Sequence, residues 1–431
     1  MSGAGGDRAV AGWDVCIIGG GAAGLMAAAH LAAGGARTLL LEQSDRVGRK
    51  LLATGNGRCN LLNMRLGDER YFSHDPERAL AVLRRWPPER LLEEFGRMGV
   101  VTCEEDDGRV YPLSGQAASV LDALRLSVSE RGATTECAAA AVEAAPLRAG
   151  WRVRLADGRE VNARRVVLAC GGRAQPTPPA DRQAKALDAL RLLGALGHRV
   201  HEPQPALTAL RCDMSALRGL KGVRVRCALT LEEARSRRAL RREEGEALFT
   251  DYGVSGIAAM QLSRALISGA RCVLALDLLP DMSGAQARAL LARRASELGA
   301  RPCESFFAGM LNRLLAQCVL RRAGVDARLA CGELTGSELD ALAQALKHLS
   351  VDVLGAQDFK SAQVMRGGAA LCDFDEALMS RRAPGLYACG ELMDVDGECG
   401  GYNLMWAWAS ALTVAEGILA DMRGAGKEKG R

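Results

Sequence analysis

The sequence predicts an α/β protein built on a Rossmann-type parallel sheet, with a β-rich domain inserted into it. A short apolar strand, DVCII at 14–18, runs into a glycine-rich turn and a helix, and a second apolar strand follows. Between about 200 and 360 the pattern changes to apolar strands separated by turns and to amphipathic helices. Short apolar strands with glycines then return, so we expect both ends of the chain to complete one sheet.

Length and cysteine usage indicate a protein that folds around its own core. The chain has 431 residues, enough for two or three domains with a sizeable buried interior. Its 14 cysteines are scattered singly, with no CxxC pair and no spacing typical of a zinc site or a disulfide framework. No targeting segment and no run of about 20 apolar residues is recognisable. We therefore expect a soluble, cytoplasmic protein that does not bind membranes.

The charge pattern argues against a nucleic-acid partner. The formal net charge is +5, but basic and acidic residues are interleaved along the chain. The one dense basic run, RSRRALRREEGE at 235–246, ends in acidic residues and is typical of a solvated face. Aromatic residues make up only 4% of the chain, which is few for a surface that stacks bases. We expect a small-molecule substrate, and the oligomeric state stays open.

The first strand, turn, helix and second strand form a βαβ unit of the dinucleotide-binding type. Gly19 permits the tight turn, Gly21 lets a pyrophosphate approach the backbone, and Gly24 lets the helix LMAAAHLAAGGA pack closely on the strand. Glu42 lies at the end of the second strand, in RTLLLEQ, where a carboxylate accepts hydrogen bonds from an adenosine ribose and disfavours a 2′-phosphate. The residues predicted to bind the dinucleotide here are Gly19, Gly21, Ala22, Ala23, Gly24, Glu42 and Gln43.

The segment RVGRKLLATGNGRCNLLN at 46–63 has no clean periodicity and is predicted to be a long loop. Guanidinium, amide and backbone N–H donors suit an anionic cofactor or flavin carbonyl oxygens. Cys59 has no partner cysteine nearby in sequence, so a thiol–disulfide relay is not expected and a packing role is favoured. The residues of this loop predicted to bind the cofactor are Arg49, Lys50, Thr54, Gly55, Asn56, Gly57, Arg58, Cys59 and Asn60.

The rest of the first part of the chain alternates helices with hairpins. Two helical patterns between 75 and 131 flank VTCEEDDGRVYPL, which predicts a hairpin that turns at Asp107-Gly108. A second strand pair turns at Asp157-Gly158 and ends in an apolar strand that runs into two glycines. Farther on, His198 and His201 are predicted to lie in a polar turn, and no metal site is expected.

Two later segments favour flavin adenine dinucleotide (FAD) over a nicotinamide cofactor. VVLACGG at 166–172 resembles the ATGG strand end of two-dinucleotide-fold flavoproteins, where the chain passes near the cofactor. PGLYACGE at 384–391 resembles the third signature of those proteins, whose final acidic residue meets the ribityl chain. The residues predicted to contact FAD in these segments are Ala169, Gly171, Gly172, Gly390 and Glu391.

A helix start with few large side chains follows this signature, in ECGGYNLMWAWAS at 398–410. Its backbone N–H groups are expected to point at the N1 and O2 edge of the flavin, where reduced flavin is negatively charged. A helix N-terminus stabilises such a charge by about 0.3 to 2 kcal/mol. The residues assigned to this contact are Gly400, Gly401, Tyr402, Asn403 and Leu404, whereas Trp406 and Trp408 are expected to be packing residues.

Taken together, these motifs resemble the BaiN-like NAD(P)/FAD-dependent oxidoreductases, a bacterial flavoprotein family in which some members are described as aminoacetone oxidases. The most specific stretches are GRKLLATGNGRCNLLN, EALFTDYGVSG and GLYACGELMDVDGECGGYNLMWAW. The resemblance implies an FAD-binding domain formed by 1–199 and 363–431, and an inserted β-rich domain at 200–362 with a helical subdomain at about 281–325. The family's glycine- and threonine-rich run is replaced by PTPPADRQAKAL at 176–187, which puts contacts made by that loop in doubt.

The expected function is that of an FAD-dependent oxidoreductase that transfers two electrons to or from a small organic substrate. The sequence has no second GxGxxG fold for NAD(P)H, so a nicotinamide donor would bind only transiently. One alternative is an amine oxidase that reduces O2 to peroxide, and another is a non-catalytic FAD-binding or RNA-associated flavoprotein. No residue is assigned as a catalytic acid or base.

Overall fold

A computed structural model describes residues 12–174, 186–266 and 270–428. The chain divides into two compact units, with boundaries at Gln204/Pro205 and Gln363/Val364. The first unit therefore contains both ends of the described chain, and the second is one continuous segment. The substituted loop at 176–187 lies mostly outside the described residues.

The first unit is organised around a seven-stranded sheet with the order β7-β2-β1-β10-β9-β8, in which β19 also pairs with β10. Strands β7, β2, β1, β10 and β19 are parallel, and β8 and β9 continue the sheet in antiparallel fashion. The strands of this unit, numbered in chain order through the whole protein, are β1 (Trp13–Ile18), β2 (Thr38–Leu41), β3 (Leu62–Asn63), β4 (Tyr71–Phe72), β5 (Thr102–Glu105), β6 (Arg109–Pro112), β7 (Thr134–Glu136), β8 (Ala141–Leu147), β9 (Gly150–Leu155), β10 (Glu160–Leu168), β11 (Val200–Ala206), β18 (Val364–Ala369), β19 (Leu386–Ala388) and β20 (Asp396–Gly397).

The helices of the first unit bury their apolar residues against the sheet and against one another. The long C-terminal helix packs against the first helix, and its Trp406 and Trp408 are 1% and 0% exposed. Both indoles are therefore packing residues, as predicted. The helices of the first unit, also numbered through the whole chain, are α1 (Ala22–Ala33), α2 (Arg49–Ala53), α3 (Pro76–Arg85), α4 (Pro88–Arg97), α5 (Ala117–Glu130), α6 (Ala189–Ala195) and α11 (Tyr402–Glu428).

The second unit is a closed antiparallel barrel with the strand order β12-β15-β14-β13-β16-β17. Its apolar interior is continuous with the packed faces of four helices. The strands are β12 (Leu210–Cys212), β13 (Arg224–Glu233), β14 (Ala239–Phe249), β15 (Gly253–Ser255), β16 (Cys272–Asp277) and β17 (Leu349–Ala356). The helices are α7 (Ile257–Leu262), α8 (Gly284–Leu298), α9 (Arg313–Ala323) and α10 (Gly336–Lys347).

The predicted α/β class and Rossmann-type sheet are confirmed, as are the hairpins that turn at Asp107-Gly108 and Asp157-Gly158. The prediction that 46–63 is only a loop is wrong, because the segment contains the helix α2, a 3-10 turn at Thr54–Gly57 and the strand β3. Tertiary packing explains the difference. Leu51 on α2 is buried. Gly48 lies close to α5, because a Cβ added to Gly48 would be 2.3 Å from the Cδ1 atom of Leu121.

In the closed barrel Gly253 packs directly against the neighbouring strand β12, so we expect that it tolerates no side chain. A Cβ there would lie 1.9 Å from the carbonyl oxygen of Leu210 on the neighbouring strand, and the residue has φ +151°. We expect Gly253→Ala to lower the free energy of unfolding by about 1 to 3 kcal/mol or more, measured as the urea midpoint of the full chain. Gly284→Ala is the matched control, since a Cβ at Gly284 has no neighbour within 4 Å. A wild-type midpoint for Gly253→Ala would contradict the prediction.

Candidate cofactor-binding site

The glycine turn after β1 places the backbone of three segments in direct contact. Gly19 has φ +114°, and a Cβ on it would be 2.3 Å from the carbonyl oxygen of Ala169, at the end of β10. A Cβ on Gly24 would be 1.9 Å from the carbonyl oxygen of Gly19. These two positions therefore require glycine. Gly21 is different, because a Cβ there would meet no atom within 4 Å, so open space lies in front of it.

That open space faces the N-terminus of α1. Gly21 caps this helix without a side-chain hydrogen bond, and the first turn, which includes Ala22 and Ala23, contains no acidic residue. The first N–H groups of a helix have no acceptor within it and carry a partial positive charge. The arrangement fits a pyrophosphate, which needs both free donors and close access to the backbone.

Glu42 is fixed beside the same turn. One carboxylate oxygen accepts a hydrogen bond from the Gly20 N–H at 2.8 Å, and the other accepts from the Ser44 N–H at 2.8 Å. Each oxygen has a second lone pair, so the carboxylate keeps acceptor capacity for hydroxyl groups such as those of a ribose. Gln43, which follows it, is half-buried.

The segment after β2 folds back onto the glycine turn. The N–H of Gly48 donates to the carbonyl oxygen of Gly20 at 2.8 Å, and α2 begins at the next residue, Arg49, which is half-buried. Lys50 on α2 forms an ion pair with Glu391, which is 341 positions away in the sequence. The side chains of Lys50 and Glu391 are only 30% and 18% exposed, so solvent screens this pair incompletely.

Glu391 is held from two further sides. Its second carboxylate oxygen accepts a hydrogen bond from the Met365 N–H at 2.8 Å. A Cβ on Gly172 would lie 3.0 Å from the Glu391 Cδ, so Gly172 leaves room for this side chain. Gly171, which precedes it, has φ +72°, a value that favours glycine. The segment at 166–172 and the final acidic residue of 384–391 are thus neighbours.

Gly390 joins the C-terminal segment to the first helix. It has φ +70°, and a Cβ on it would be 3.1 Å from the Cβ of Ala23. Its N–H donates to the Ser410 hydroxyl at 2.9 Å, and its carbonyl oxygen accepts from the Trp406 indole N–H at 3.0 Å. The C-terminal helix therefore holds Gly390 against the N-terminus of α1.

The turn after α2 has a backbone that few residue types adopt. Gly55, Asn56, Gly57 and Cys59 all have positive φ, between +55° and +83°. The turn is closed by the Cys59 N–H, which donates to the carbonyl oxygen of Thr54 at 3.0 Å. Consecutive left-handed residues of this kind leave backbone N–H groups available for an anion or a carbonyl oxygen.

Two side chains of this turn are engaged elsewhere. Arg58 pairs with Glu105 and lies over the Tyr111 ring, 4.1 Å from its centroid, on the exposed side of the turn. Cys59 is fully buried, and burial raises the pKa of its thiol to about 12. Its thiol is therefore protonated at neutral pH, which agrees with the packing role that the sequence favours for this residue.

Asn60 supplies a buried acceptor next to the start of α11. Its side-chain oxygen has no hydrogen-bond partner among the residues that the structure describes, although the residue is only 8% exposed. Gly401 has φ +101°, and a Cβ on it would lie 2.7 Å from this oxygen. A buried acceptor without a protein donor is unusual in a folded protein, so this oxygen is available to a donor from outside the chain, such as water or a ligand.

The side chains at the start of α11 shape the helix entry. The Asn403 amide bonds both the N–H and the carbonyl oxygen of Gly397, each at 2.8 Å. The Tyr402 hydroxyl donates to the Arg65 carbonyl oxygen at 3.1 Å, and burial raises the pKa of Tyr402, so the hydroxyl stays a neutral donor. The Asn63 amide donates to the Gly400 carbonyl oxygen at 2.9 Å, and Leu404 is half-buried.

The structure thus brings together the glycine turn, the turn after α2 and the C-terminal signature, all within the first unit. Sequence reasoning missed three residues that build this arrangement, Asn63, Met365 and Ser410. Their contributions come from tertiary contacts, and no local motif signals them.

The two histidines at 198 and 201 do not share a polar turn. His198 is buried and its ring bonds the Leu193 carbonyl oxygen and the Ser380 hydroxyl, at 3.0 and 2.8 Å. His201 lies on β11 and stacks on His74. The prediction of a shared turn is wrong because His198 lies between the end of α6 and the start of β11 and is buried, whereas His201 is part of the strand β11 itself.

A search of the described helices for a membrane span finds none that is both long enough and apolar enough.

Comparison with known proteins places most of the chain in one family. The model of the HI0933-like protein Rossmann domain matches residues 13–417. A 3-dehydro-bile acid Δ(4,6)-reductase of Clostridium scindens is 35% identical over 401 residues, which cover 91% of this chain and 96% of the relative. A ribosomal RNA dihydrouridine synthase of Escherichia coli is 28% identical over 418 residues, covering 95% of this chain and 98% of the relative.

Among solved structures, a 3-ketosteroid Δ1-dehydrogenase from Sterolibacterium denitrificans in complex with 1,4-androstadiene-3,17-dione aligns with a TM-score of 0.50. The two chains are 15% identical, and the alignment covers 95% of this chain and 99% of the other, so this likeness concerns the fold alone. The chain therefore belongs to the HI0933-like Rossmann family, and its predicted membership of the BaiN-like FAD-dependent oxidoreductases is confirmed.

Proposed function

We propose that this protein holds FAD in the first unit and uses it to reduce a carbon–carbon double bond conjugated to a carbonyl group in a small organic substrate. The observation that carries the cofactor assignment is the contact between the two ends of the described chain. Gly390 packs against Ala23 at the N-terminus of α1, and Glu391 pairs with Lys50. Residues far apart in sequence are thus built into one arrangement suited to an extended dinucleotide.

The adenosine diphosphate end of the cofactor would lie at the glycine turn. The open space in front of Gly21 leaves the α1 N–H groups accessible to the pyrophosphate. Glu42, fixed by two backbone N–H groups, would accept hydrogen bonds from the ribose hydroxyls. A carboxylate at this position repels a 2′-phosphate, which supports FAD as the resident dinucleotide.

The flavin end would lie between the turn after α2 and the start of α11. The buried Asn60 oxygen would accept a hydrogen bond from a ring N–H, and Gly401, which has no side chain, lets the start of α11 pack closely against Asn60 and the Leu62 backbone. Glu391 is oriented by Lys50 and by the Met365 N–H, so it would present a fixed carboxylate to the ribityl hydroxyls. When bound, FAD supplies two-electron transfer, and these residues orient it and tune its charge. The full set proposed for cofactor binding is Gly19, Gly21, Ala22, Ala23, Gly24, Glu42, Gln43, Arg49, Lys50, Thr54, Gly55, Asn56, Gly57, Arg58, Cys59, Asn60, Ala169, Gly171, Gly172, Gly390, Glu391, Gly400, Gly401, Tyr402, Asn403 and Leu404. Arg58 and Cys59 would contribute only through the backbone of the turn, because their side chains are engaged elsewhere.

The names of the relatives support the proposed substrate class. The bile acid relative is named for reduction of 4,6 double bonds in a 3-dehydro substrate, so its double bonds are conjugated to a carbonyl. The dihydrouridine synthase relative is named for a product in which the conjugated double bond of uracil is reduced. Both reactions add two electrons and two protons across a polarised C=C bond. We infer that this chain performs the same class of reduction, with NAD(P)H as a transient donor.

The ion pairs of β13 and β14 favour a small molecule over RNA. Three arginines of the predicted basic region and its neighbour strand pair with glutamates, in the pairs Arg224–Glu246, Arg241–Glu243 and Arg242–Glu244. A cation already paired with a carboxylate releases fewer counterions when it meets a phosphate. Two other substrates compete with this assignment. One is RNA, and the other is an amine that would be oxidised with formation of peroxide.

Filling the space at Gly21 should weaken FAD binding without unfolding the protein. We expect Gly21→Val to raise the dissociation constant for FAD by at least about tenfold, because the side chain blocks approach of the pyrophosphate. The measurement is fluorescence titration of flavin-free protein with FAD.

Gly96→Val is the control for this prediction, since Gly96 lies in α4 and an added Cβ there also has no neighbour within 4 Å. The free energy of unfolding of both flavin-free variants, from urea denaturation, should stay within about 1 kcal/mol of the flavin-free wild type. Wild-type FAD affinity in Gly21→Val would remove the glycine turn from the proposed site.

The direction of electron transfer is tested by anaerobic absorption spectroscopy of the holoprotein. We expect NAD(P)H to bleach the flavin bands, and a 3-oxo-Δ4 steroid or another conjugated enone to restore them. Bleaching by an amine, followed by peroxide formation in air, would show an oxidase instead. Restoration by a uridine-containing RNA, at low salt and not by any enone, would assign the chain to RNA reduction.

Alkylation tests whether Cys59 takes part in redox chemistry. Because burial raises its pKa to about 12, the thiol is protonated throughout pH 7 to 9 and becomes a thiolate only at much higher pH. We expect iodoacetamide at pH 8 to modify the exposed Cys372 and to leave Cys59 unmodified, as measured by peptide mass spectrometry. Equal labelling of the two thiols would contradict the packing role.

A further inference from the structure

Two histidines and an aspartate from three separate segments meet in the first unit, outside the residues proposed to bind FAD. His74 lies between β4 and α3, His201 lies on β11, and Asp394 lies between the C-terminal signature and β20. One ligand atom from each lies within 4.8 Å of the other two. The closest approach in sequence between any two of them is the 127 positions from His74 to His201, so no local motif reveals the group.

Both imidazole rings turn a nitrogen toward the same carboxylate oxygen. His74 Nδ1 is 2.9 Å from Asp394 Oδ2, and His201 Nε2 is 3.8 Å from that oxygen. Three ligands bound tetrahedrally to Zn²⁺, with metal–ligand distances of 2.0–2.1 Å, lie about 3.3 Å from one another. The two observed distances to Asp394 Oδ2 lie on either side of that value.

The carboxylate at the centre of the group is buried and fixed by the backbone. Asp394 is 3% exposed, and its N–H donates to the carbonyl oxygen of Ala369 at 2.9 Å. Its Oδ2 also accepts a hydrogen bond from the backbone N–H of His74 at 2.9 Å. A buried carboxylate needs a compensating positive charge or several donors, and here two imidazole rings and one backbone N–H face it.

A cavity of about 350 Å³ opens onto the three side chains. It has room for an ion with water or another small ligand in its open coordination positions. Its wall also carries the exposed thiol of Cys372 and the exposed side chain of Arg199. The guanidinium charge is screened because Arg199 faces solvent, so it does not prevent a cation from binding.

We propose that His74, His201 and Asp394 form a binding site for a divalent transition-metal ion, with Zn²⁺ as the best-matched ion. Two imidazole nitrogens and one carboxylate oxygen are ligands that Zn²⁺ and Fe²⁺ accept with positions left open. Mg²⁺ and Ca²⁺ prefer oxygen ligands, so we do not expect them to compete. This proposal departs from the expectation, based on the sequence, that the protein has no metal site.

Metal binding requires one ring to rotate. The His74 and His201 rings are stacked, with centroids 3.7 Å apart and planes 1° apart. A coordinated imidazole holds the ion near its own plane, so two parallel stacked rings cannot both do so. The His74 side chain is 62% exposed and lies on a connection between elements, which lets it reorient, whereas His201 is 21% exposed and stays in place.

The test measures Zn²⁺ binding to the purified full chain without a polyhistidine tag, by equilibrium dialysis at pH 7.5 with the bound metal determined by atomic absorption. We expect one equivalent of Zn²⁺ to bind and tenfold excess Mg²⁺ to leave it in place. His74→Ala and His201→Ala should each weaken binding by at least about tenfold. Circular dichroism and the urea midpoint show whether each variant is folded.

His348→Ala is the matched control. His348 also faces a carboxylate, with Nε2 3.1 Å from Glu232 Oε1, and its side chain is 30% exposed. This variant should bind Zn²⁺ like the wild type. Cys372→Ser tests whether the thiol adds a fourth ligand. Zn²⁺ binding by this variant, whether unchanged or weakened, supports the three-residue site only if the two histidine variants lose binding. Absence of stoichiometric binding, or equal binding by His74→Ala, His201→Ala and wild type, would overturn the proposal, and neither outcome depends on the FAD assignment.

Discussion

The close backbone contact among Gly19, Gly24 and Ala169 is the constraint on which the first unit depends. An added Cβ at Gly24 would lie 1.9 Å from the Gly19 carbonyl oxygen, and one at Gly19 would lie 2.3 Å from that of Ala169. This proximity allows α1 to start directly against the ends of β1 and β10. It also leaves the first N–H groups of α1 free of side chains, which is the electrostatic basis for binding a dinucleotide there.

Around this point the chain gathers segments that are distant in sequence. The ion pair of Lys50 with Glu391 and the packing of Gly390 on Ala23 join the C-terminal part of the chain to the turn region near its start. Such contacts form only when the residues between the two parts fold as a separate body, or when the chain comes back to the first unit close to the point where it left. The division of the chain at 204/205 and 363/364 fits this requirement, because the second unit is a continuous barrel with its own apolar core. An insertion of this kind leaves the parallel sheet intact.

Sequence reasoning was most successful where one residue type is required by local geometry. The glycines of the first turn, the two Asp-Gly turns and the apolar parallel strands were all recognisable from pattern alone. It failed for α2, because five residues without periodicity form a helix only when Leu51 is buried and Gly48 packs on Leu121. It also failed for His201, whose neighbours were assumed to be those adjacent in sequence. The partners of that ring, His74 and Asp394, come from other segments.

By itself, the sequence determined the fold class, the family and the positions of the glycine-rich segments. Where backbone segments pack closely only glycine fits, and the spacing of apolar residues shows which faces of helices and strands are buried. Only the tertiary structure decided which polar groups face one another. From the sequence Lys50 is only a cation in a loop, and the structure pairs it with Glu391. The structure also buries the Asn60 side-chain oxygen without a donor from the described residues and pairs Arg58 with Glu105. Side-chain pairing is set by distance in space, and the order of residues along the chain does not record that distance.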